Sequence, residues 1–393
     1  MPLTARSIAP ATDPSPSCPH AADAVPPPRR PVTVVAELPG FQHRATIDHG
    51  AMAQTRKSAT WLMAVPVTHL PDPAAVRATI GVERLTAIAD AFGRQRGLTA
   101  ACRDLMTLLP TPVHQHRPDV GAMVQRGNIM DGDIHDAFFA VHRCADGAAV
   151  RHVVAILRSA AILRAALRDG HSLLDDAALA RIGQGIMLCF ALATGIVPAP
   201  LALPPRRAGP TTDVAAATRR WLYGHHIFLV VTHGLVLALD RVIAAADAGT
   251  PDDQADAIAV FAFLLDISAD TLGFTGDFDA GVYDRVVRVA MAPPHMPEGF
   301  SGVFSSDHRY LVRRLREARP MFEAIGVSLP VAHAGVVASM TRLYDNHKSV
   351  CARFVGVDRT SLLMSPATDE TAIGQLEKFK WSRLRNLGAR PPA

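Results

Sequence analysis

From Asp72 onward apolar residues recur at intervals of three and four, the spacing that gathers side chains on one face of an α-helix. Val76, Ile80, Leu85, Ile88 and Phe92 form one such series, and Leu98, Cys102, Leu105 and Leu108 a second. The same period predicts helices over 133–143, 147–169, 175–195, 213–248, 252–272, 306–325 and 330–355. A polar, glycine-containing stretch from Pro110 to Gly132 reads as a long loop, and the proline-rich 198–210 as the clearest linker. Residues 32–36 (VTVVA) have the composition of one short strand. No repeat of solenoid type is present. Residues 1–31, dense in proline, alanine and serine, bury too little apolar surface to order themselves and read as a disordered Pro-rich tail. The expectation is an all-α fold, a helical bundle forming a single domain over 32–393.

Composition sharpens this picture. Hydrophobic residues make up 49% of the 393 and charged ones only 19%, so many helices must be buried on more than one side. The longest apolar segments, 185–203 and 227–239, are interrupted by proline, threonine or histidine and read as core helices rather than membrane spans. A net charge of +4 without basic clusters, and 6% aromatics, argue against nucleic acid as a partner. The five cysteines, Cys18, Cys102, Cys144, Cys189 and Cys351, are scattered without CxxC spacing, which suggests neither a disulfide framework nor a zinc site. The N-terminus has no apolar stretch of secretory type, so a cytoplasmic protein with no membrane attachment is expected. Seventeen histidines make histidine chemistry the thing to pursue.

On the last long predicted helix, His333, Val337, Met340, Tyr344, His347 and Cys351 step along one side. His347 and Cys351 are therefore one turn apart on a single ridge, with the thiol roughly 6 Å further along the helix axis. An imidazole there can bind a haem iron while the thiol reaches a porphyrin edge. Taken alone, the HxxxC spacing more often marks a core histidine and a small buried cysteine. His308 opens the preceding helix just after Ser305 and Ser306, natural N-caps, and a first-turn histidine can point into a pocket. His225 and His226 enter an apolar helix together, with His233 seven residues after His226; burying such a pair is costly unless it is partnered. No glutamate or cysteine stands at a spacing that would make them zinc ligands.

These pieces, in this order, resemble the tryptophan 2,3-dioxygenase-like superfamily of histidine-ligated haem oxygenases. The resemblance rests on the segment from His225 through His233 to Asp240, the stretch from Pro293 to Gly302, and the segment from Tyr344 to Gly356. They are similar, in turn, to that family's pocket helix, its glycine-phenylalanine loop over the haem, and its proximal-histidine helix. The chain departs from the dioxygenases in having Cys351 four residues after His347, and His308 39 residues before it. A histidine followed at a distance by HxxxC is similar to the covalent-haem signature of the 3-methyl-L-tyrosine hydroxylases, peroxygenases of saframycin-type antibiotic biosynthesis.

The resemblance implies a haem between the C-terminal helices, with His347 as proximal ligand, a thioether through Cys351, His308 as a second and labile metal ligand, and Phe300 and Ser301 against the cofactor. His308, His225 and His226 become candidates for acid/base catalysis. Tyr283, Arg285 and Arg288 occupy a place similar to the family's carboxylate-binding arginine, with either arginine eligible. The implied reaction is hydroxylation of 3-methyl-L-tyrosine to 3-hydroxy-5-methyl-L-tyrosine by hydrogen peroxide, in an enzyme expected to be a homodimer. An O2-using dioxygenase-like enzyme and a non-enzymatic bis-histidine haem protein are the alternatives.

Overall fold

The computed structural model describes residues 49–94, 97–109, 131–293, 296, 300, 302–360, 362 and 369–389. Ile47–Ala393 forms one compact unit. The tail over 1–31, the boundary at residue 32, the strand over 32–36 and the predicted loop up to residue 130 lie outside the described residues.

The helices run in the order α1 (His49–Ser58), α2 (Pro73–Ile80), α3 (Val82–Ala91), α4 (Gly97–Met106), α5 (Asp131–Phe138), α6 (Ala148–Asp169), α7 (Asp176–Thr194), α8 (Val214–Ala248), α9 (Pro251–Thr275), α10 (Ser306–Glu317), α11 (Arg319–Ser328), α12 (Pro330–Phe354) and α13 (Ala372–Asn386). Short residues with side-chain oxygens start many of them. Asp72, Asp175, Asp213 and Thr371 each accept a backbone N–H at the N-terminus of α2, α7, α8 and α13, and Thr250 and Asp253 form a reciprocal capping box on α9. α7 ends where Gly195 turns left-handed at φ 73°.

α9 is the centre of the bundle, packed along α8 on one side and α12 on the other. Phe261 and Phe274 of α9, Phe190 of α7 and Phe322 of α11 are fully enclosed. Each such ring contributes up to about 3 kcal/mol of transfer free energy, which explains why the apolar period predicts this core so well. Closest approach comes at Gly224 of α8. A Cβ there would meet Thr275 Oγ1 at 2.6 Å and its Cα at 2.7 Å, so glycine lets the two backbones touch one residue before His225. At the same crossing the buried Arg220 donates to Asp277 at 2.8 Å, and Asp277 also accepts from Ser172 and the Leu173 backbone, tying α8 to the ends of α6 and α9.

α7, α8 and α9 are long and apolar enough to cross a membrane by length and composition, yet more than half of each apolar window is buried within the protein.

Elsewhere the observed elements differ from the predicted ones. The helix predicted over 133–143 stops at Phe138, because Ala140 adopts φ 52° and the chain turns into a short strand. β1 (Leu62–Ala64) and β2 (Val141–Arg143) pair in parallel, with Leu62 opposite Val141 and Ala64 opposite Arg143. A second two-stranded ladder joins β3 (His171–Ser172) to β4 (Arg207–Ala208). The helix predicted over 306–325 is two helices breaking at Ala318, where Pro320 sits in the first turn of α11 and cannot donate to the turn before it. α1 and α13 are helices that the periodicity reading did not include.

Candidate functional site

His347 and Cys351 lie on α12, one turn apart, as their spacing demands. Both are half-buried by exposed area while lying deep among protein atoms, the signature of side chains that line an internal space. Burial lowers the His347 imidazole to about 4 and pushes the Cys351 thiol up to about 11. At neutral pH this is a neutral ring beside a protonated thiol.

His308, in the first turn of α10, reaches the same space. Its backbone N–H donates to the Ser305 hydroxyl at 3.3 Å, so the cap sets where the side chain leaves the helix. Burial first, then the nearby charges of Arg383, His347 and His135, lower it to about 4. Among the described residues neither the His308 nor the His347 ring has a hydrogen-bond partner. Two neutral imidazoles in electrostatic reach of each other suit a metal that brings equatorial ligands of its own. Among the described residues no group of three or more His, Cys, Asp or Glu side chains gathers to hold a bare ion.

α8 delivers His225 but not His226 to this space. The His225 ring stacks on Phe139, 3.8 Å between centroids, and its Nδ1 lies 2.7 Å from the Trp221 carbonyl. Because that oxygen can only accept, Nδ1 carries the proton and Nε2 is left as an acceptor. Burial, with the charges of His135, His226 and His347 nearby, lowers it to about 3. His226 points elsewhere: fully buried, it donates Nε2–H to the Phe139 carbonyl at 2.6 Å and packs against Tyr223. The sequence places both histidines on one helix; the 100° step between neighbours sends only one towards His347.

Phe300 closes the aromatic wall. It stacks on Phe138 at 4.6 Å, and the His135 ring lies 5.8 Å away and nearly parallel. Ser301 lies outside the described residues. On the other flank Tyr283 stacks face to face on Phe354 at 4.4 Å, in a π-helical stretch, Tyr283–Val287, of the kind often found at functional sites. Burial raises Tyr283 to about 12; the nearby charge of Arg288 opposes that shift, and Cys351 is close enough to add to it. Arg288 is half-buried near Tyr283, whereas Arg285 is exposed.

A buried ion cluster underlies His308, and the sequence reading missed it. Asp307 is 1% exposed on its side chain and takes a fork from Arg143 at 2.8 and 2.6 Å, plus His233 Nε2 at 2.8 Å. Arg143 forks Asp136 as well, at 2.8 and 2.9 Å. Burial opposes ionisation of Asp307, but Arg143 and His233 overcome it and hold the carboxyl far below the usual range. Asp307 thereby pins the start of α10 to β2 and α8, and the neighbouring His308 is aimed by that anchor. His233 lacks any site role of its own: its other nitrogen has no partner and its ring sits 5.7 Å from the buried His152.

Fold and site together define a helical protein with a neutral histidine pair, a thiol and an aromatic wall around one interior space. The chain belongs to the SfmD 3-methyl-L-tyrosine peroxygenase family, whose profile matches residues 63–335. It is 31% identical over 242 residues to the 3-methyl-L-tyrosine peroxygenase of Streptomyces lavendulae, an alignment covering 60% of this chain and 65% of the relative's length. It also shares the fold of the crystal structure of reduced SfmD soaked with sodium hydrosulfite, with a TM-score of 0.54, 24% identity, and coverage of 74% of this chain and 97% of that one. The family match includes His225, Arg288 and His308 and ends before His347 and Cys351.

Proposed function

We propose that the chain is a haem-dependent peroxygenase that hydroxylates the ring of 3-methyl-L-tyrosine to 3-hydroxy-5-methyl-L-tyrosine with hydrogen peroxide, a step of tetrahydroisoquinoline antibiotic biosynthesis. The observation that supports this reading is that His308 and His347 are buried, neutral imidazoles within electrostatic reach of each other, with the Cys351 thiol one turn beyond His347. The residues fit a haem: the unpartnered rings of His308 and His347 would supply nitrogen ligands, Cys351 would supply the thiol for a covalent tether, and Phe300 and Tyr283 would offer flat apolar walls. A bound haem supplies the oxidising power; the protein supplies access, orientation and proton handling.

In this reading His347 would hold the haem permanently and Cys351 would tether it, while His308 would be a displaceable ligand that leaves room for peroxide. His225 holds its proton on Nδ1 through the Trp221 carbonyl and offers Nε2 to accept one, either from peroxide or as a hydrogen bond from the substrate phenol. Arg288, half-buried near Tyr283 and Cys351, is the arginine better placed for the substrate carboxylate. A cytoplasmic homodimer completes the proposal.

Incubating the purified, haem-loaded protein with 3-methyl-L-tyrosine tests it. Product one oxygen heavier is expected with hydrogen peroxide alone. Product formed only with O2 and a reductant would replace the peroxygenase by a dioxygenase-like enzyme, and no product under either condition would leave a bis-histidine haem protein.

A further inference from the structure

Arg383 on α13 reaches back to the site from the far end of the chain. Its guanidinium lies over the Phe379 ring, 5.3 Å from the centroid, and its nearby charge opposes the rise that burial imposes on the Tyr344 phenol. Tyr344 is buried and sits on α12 one turn before His347. α13 packs against both α12, which carries His347, and α10, which carries His308. Its Nε is sealed from solvent and has no hydrogen-bond partner, and among the described residues no carboxylate lies within ion-pair distance of it.

The cations around it are treated differently. Lys348 pairs with Asp345 at 2.8 Å and Glu377 at 2.5 Å, and Lys380 with Glu377 at 2.7 Å and Asp345 at 3.3 Å. Arg342, further up α12, pairs with Asp266 and Asp270. Lys348, Lys380 and Arg342 are thus paired, whereas among the described residues Arg383 has no carboxylate partner although its Nε is buried. A buried N–H without an acceptor costs free energy, and a phenol can orient a guanidinium but cannot neutralise it. The arrangement is stable once an anion arrives, and a planar fork stacked on a ring is shaped for a carboxylate.

We infer that Arg383, oriented by Tyr344 and Phe379, is a carboxylate anchor of the His308–His347 site. The inference rests on the haem-and-amino-acid reading above, in which two ligands bring carboxylates to this space: the haem, through its propionates, and the amino-acid substrate. The anchor takes one of these, and the two sources are separable.

Full-length protein from haem-depleted cells, wild type and Arg383→Gln, is titrated with haemin and with haemin dimethyl ester, whose propionates are blocked. Haem-loaded samples are titrated with 3-methyl-L-tyrosine and with 3-methyltyramine, which lacks the carboxylate. Wild type is expected to prefer the free acid by about tenfold or more in at least one series, the size of one charge-assisted hydrogen bond. Arg383→Gln is expected to erase that preference, and Arg383→Lys to restore part of it. Erasure in the haemin series identifies a propionate; erasure in the amino-acid series identifies the substrate. A glutamine variant that keeps the wild-type preference in both series overturns the anchor while leaving the proposed function intact. Should Arg383→Gln not fold, Tyr344→Phe removes only the orienting hydroxyl and must still reduce the same preference; an unchanged preference overturns the anchor. A wild-type chain that takes up no haem removes the proposed function and the anchor with it.

Discussion

At the scale of single residues, position decides which of several similar side chains does chemistry. Arg285 and Arg288 are one turn apart in sequence terms, yet Arg285 is exposed and Arg288 is half-buried near Tyr283 and Cys351. Arg288→Ala should raise the KM for the amino acid by about tenfold or more, the loss of a charge-assisted contact, while Arg285→Ala should change it less than about threefold. Equal effects from both would remove Arg288 from the substrate site. Histidines buried without partners also set the acid limit of stability. Burial, then the charge of His233, lowers His152 to about 3, below the 6.5 it has when unfolded. Below pH 6.5 the unfolded chain gains a proton there that the folded chain refuses, so stability falls as pH drops from 6.5 towards the folded value. His152→Phe should flatten this part of the thermal-melting profile and leave the profile above pH 7 nearly unchanged; an unaltered acid slope would show that His152 is not one of the groups responsible.

At the scale of elements, two devices hold helices where the site needs them. Gly224 permits α8 to touch α9 at Thr275, immediately before His225. Gly224→Ala forces a Cβ against backbone as well as side-chain atoms, and should cost ~1–3 kcal/mol in a denaturant titration while weakening substrate binding through the displaced His225. Asp307 is the second device. Asp307→Ala strips the partner from two buried groups, Arg143 and His233, and should cost ~3–5 kcal/mol. At permissive temperature it should also perturb the visible spectrum of the haem-loaded protein, because His308 loses its anchor. A destabilised protein with an unchanged spectrum would reduce Asp307 to a purely structural role. Local patterning made much of this level readable: α6, α7, α8, α9 and α12 fall within a few residues of where apolar periodicity puts them. The exceptions have physical causes. α5 ends early because the strand pairing of Val141–Arg143 with Leu62–Ala64 overrides local helix preference, and that pairing spans some eighty residues that no local window sees.

At the scale of the whole molecule, the site is assembled from segments far apart in the chain, and this sets what could be read in advance. The one-turn relation of His347 to Cys351 was legible because helix geometry fixes it, and the first-turn place of His308 because its cap is local. The choice of His225 over His226 depends on how α8 is rotated against α5, which the sequence does not state. The Asp136–Arg143–Asp307–His233 cluster joins α5, β2, α10 and α8, and Arg383 arrives from α13, so their meeting exists only in the folded chain. His347 and Cys351, beyond the stretch that matches the family profile, carry the identity of the centre and are therefore where the reading is most exposed to test. The most direct measurement is the intact mass of the purified protein under denaturing conditions, with its visible spectrum recorded beforehand. The protein should absorb as a haem protein and weigh one haem more than its chain, and Cys351→Ala should lose that added mass while keeping its colour through His347. An unmodified mass from a colourless sample grown with ample haem would contradict the haem centre and return His347 and Cys351 to the packing of α12.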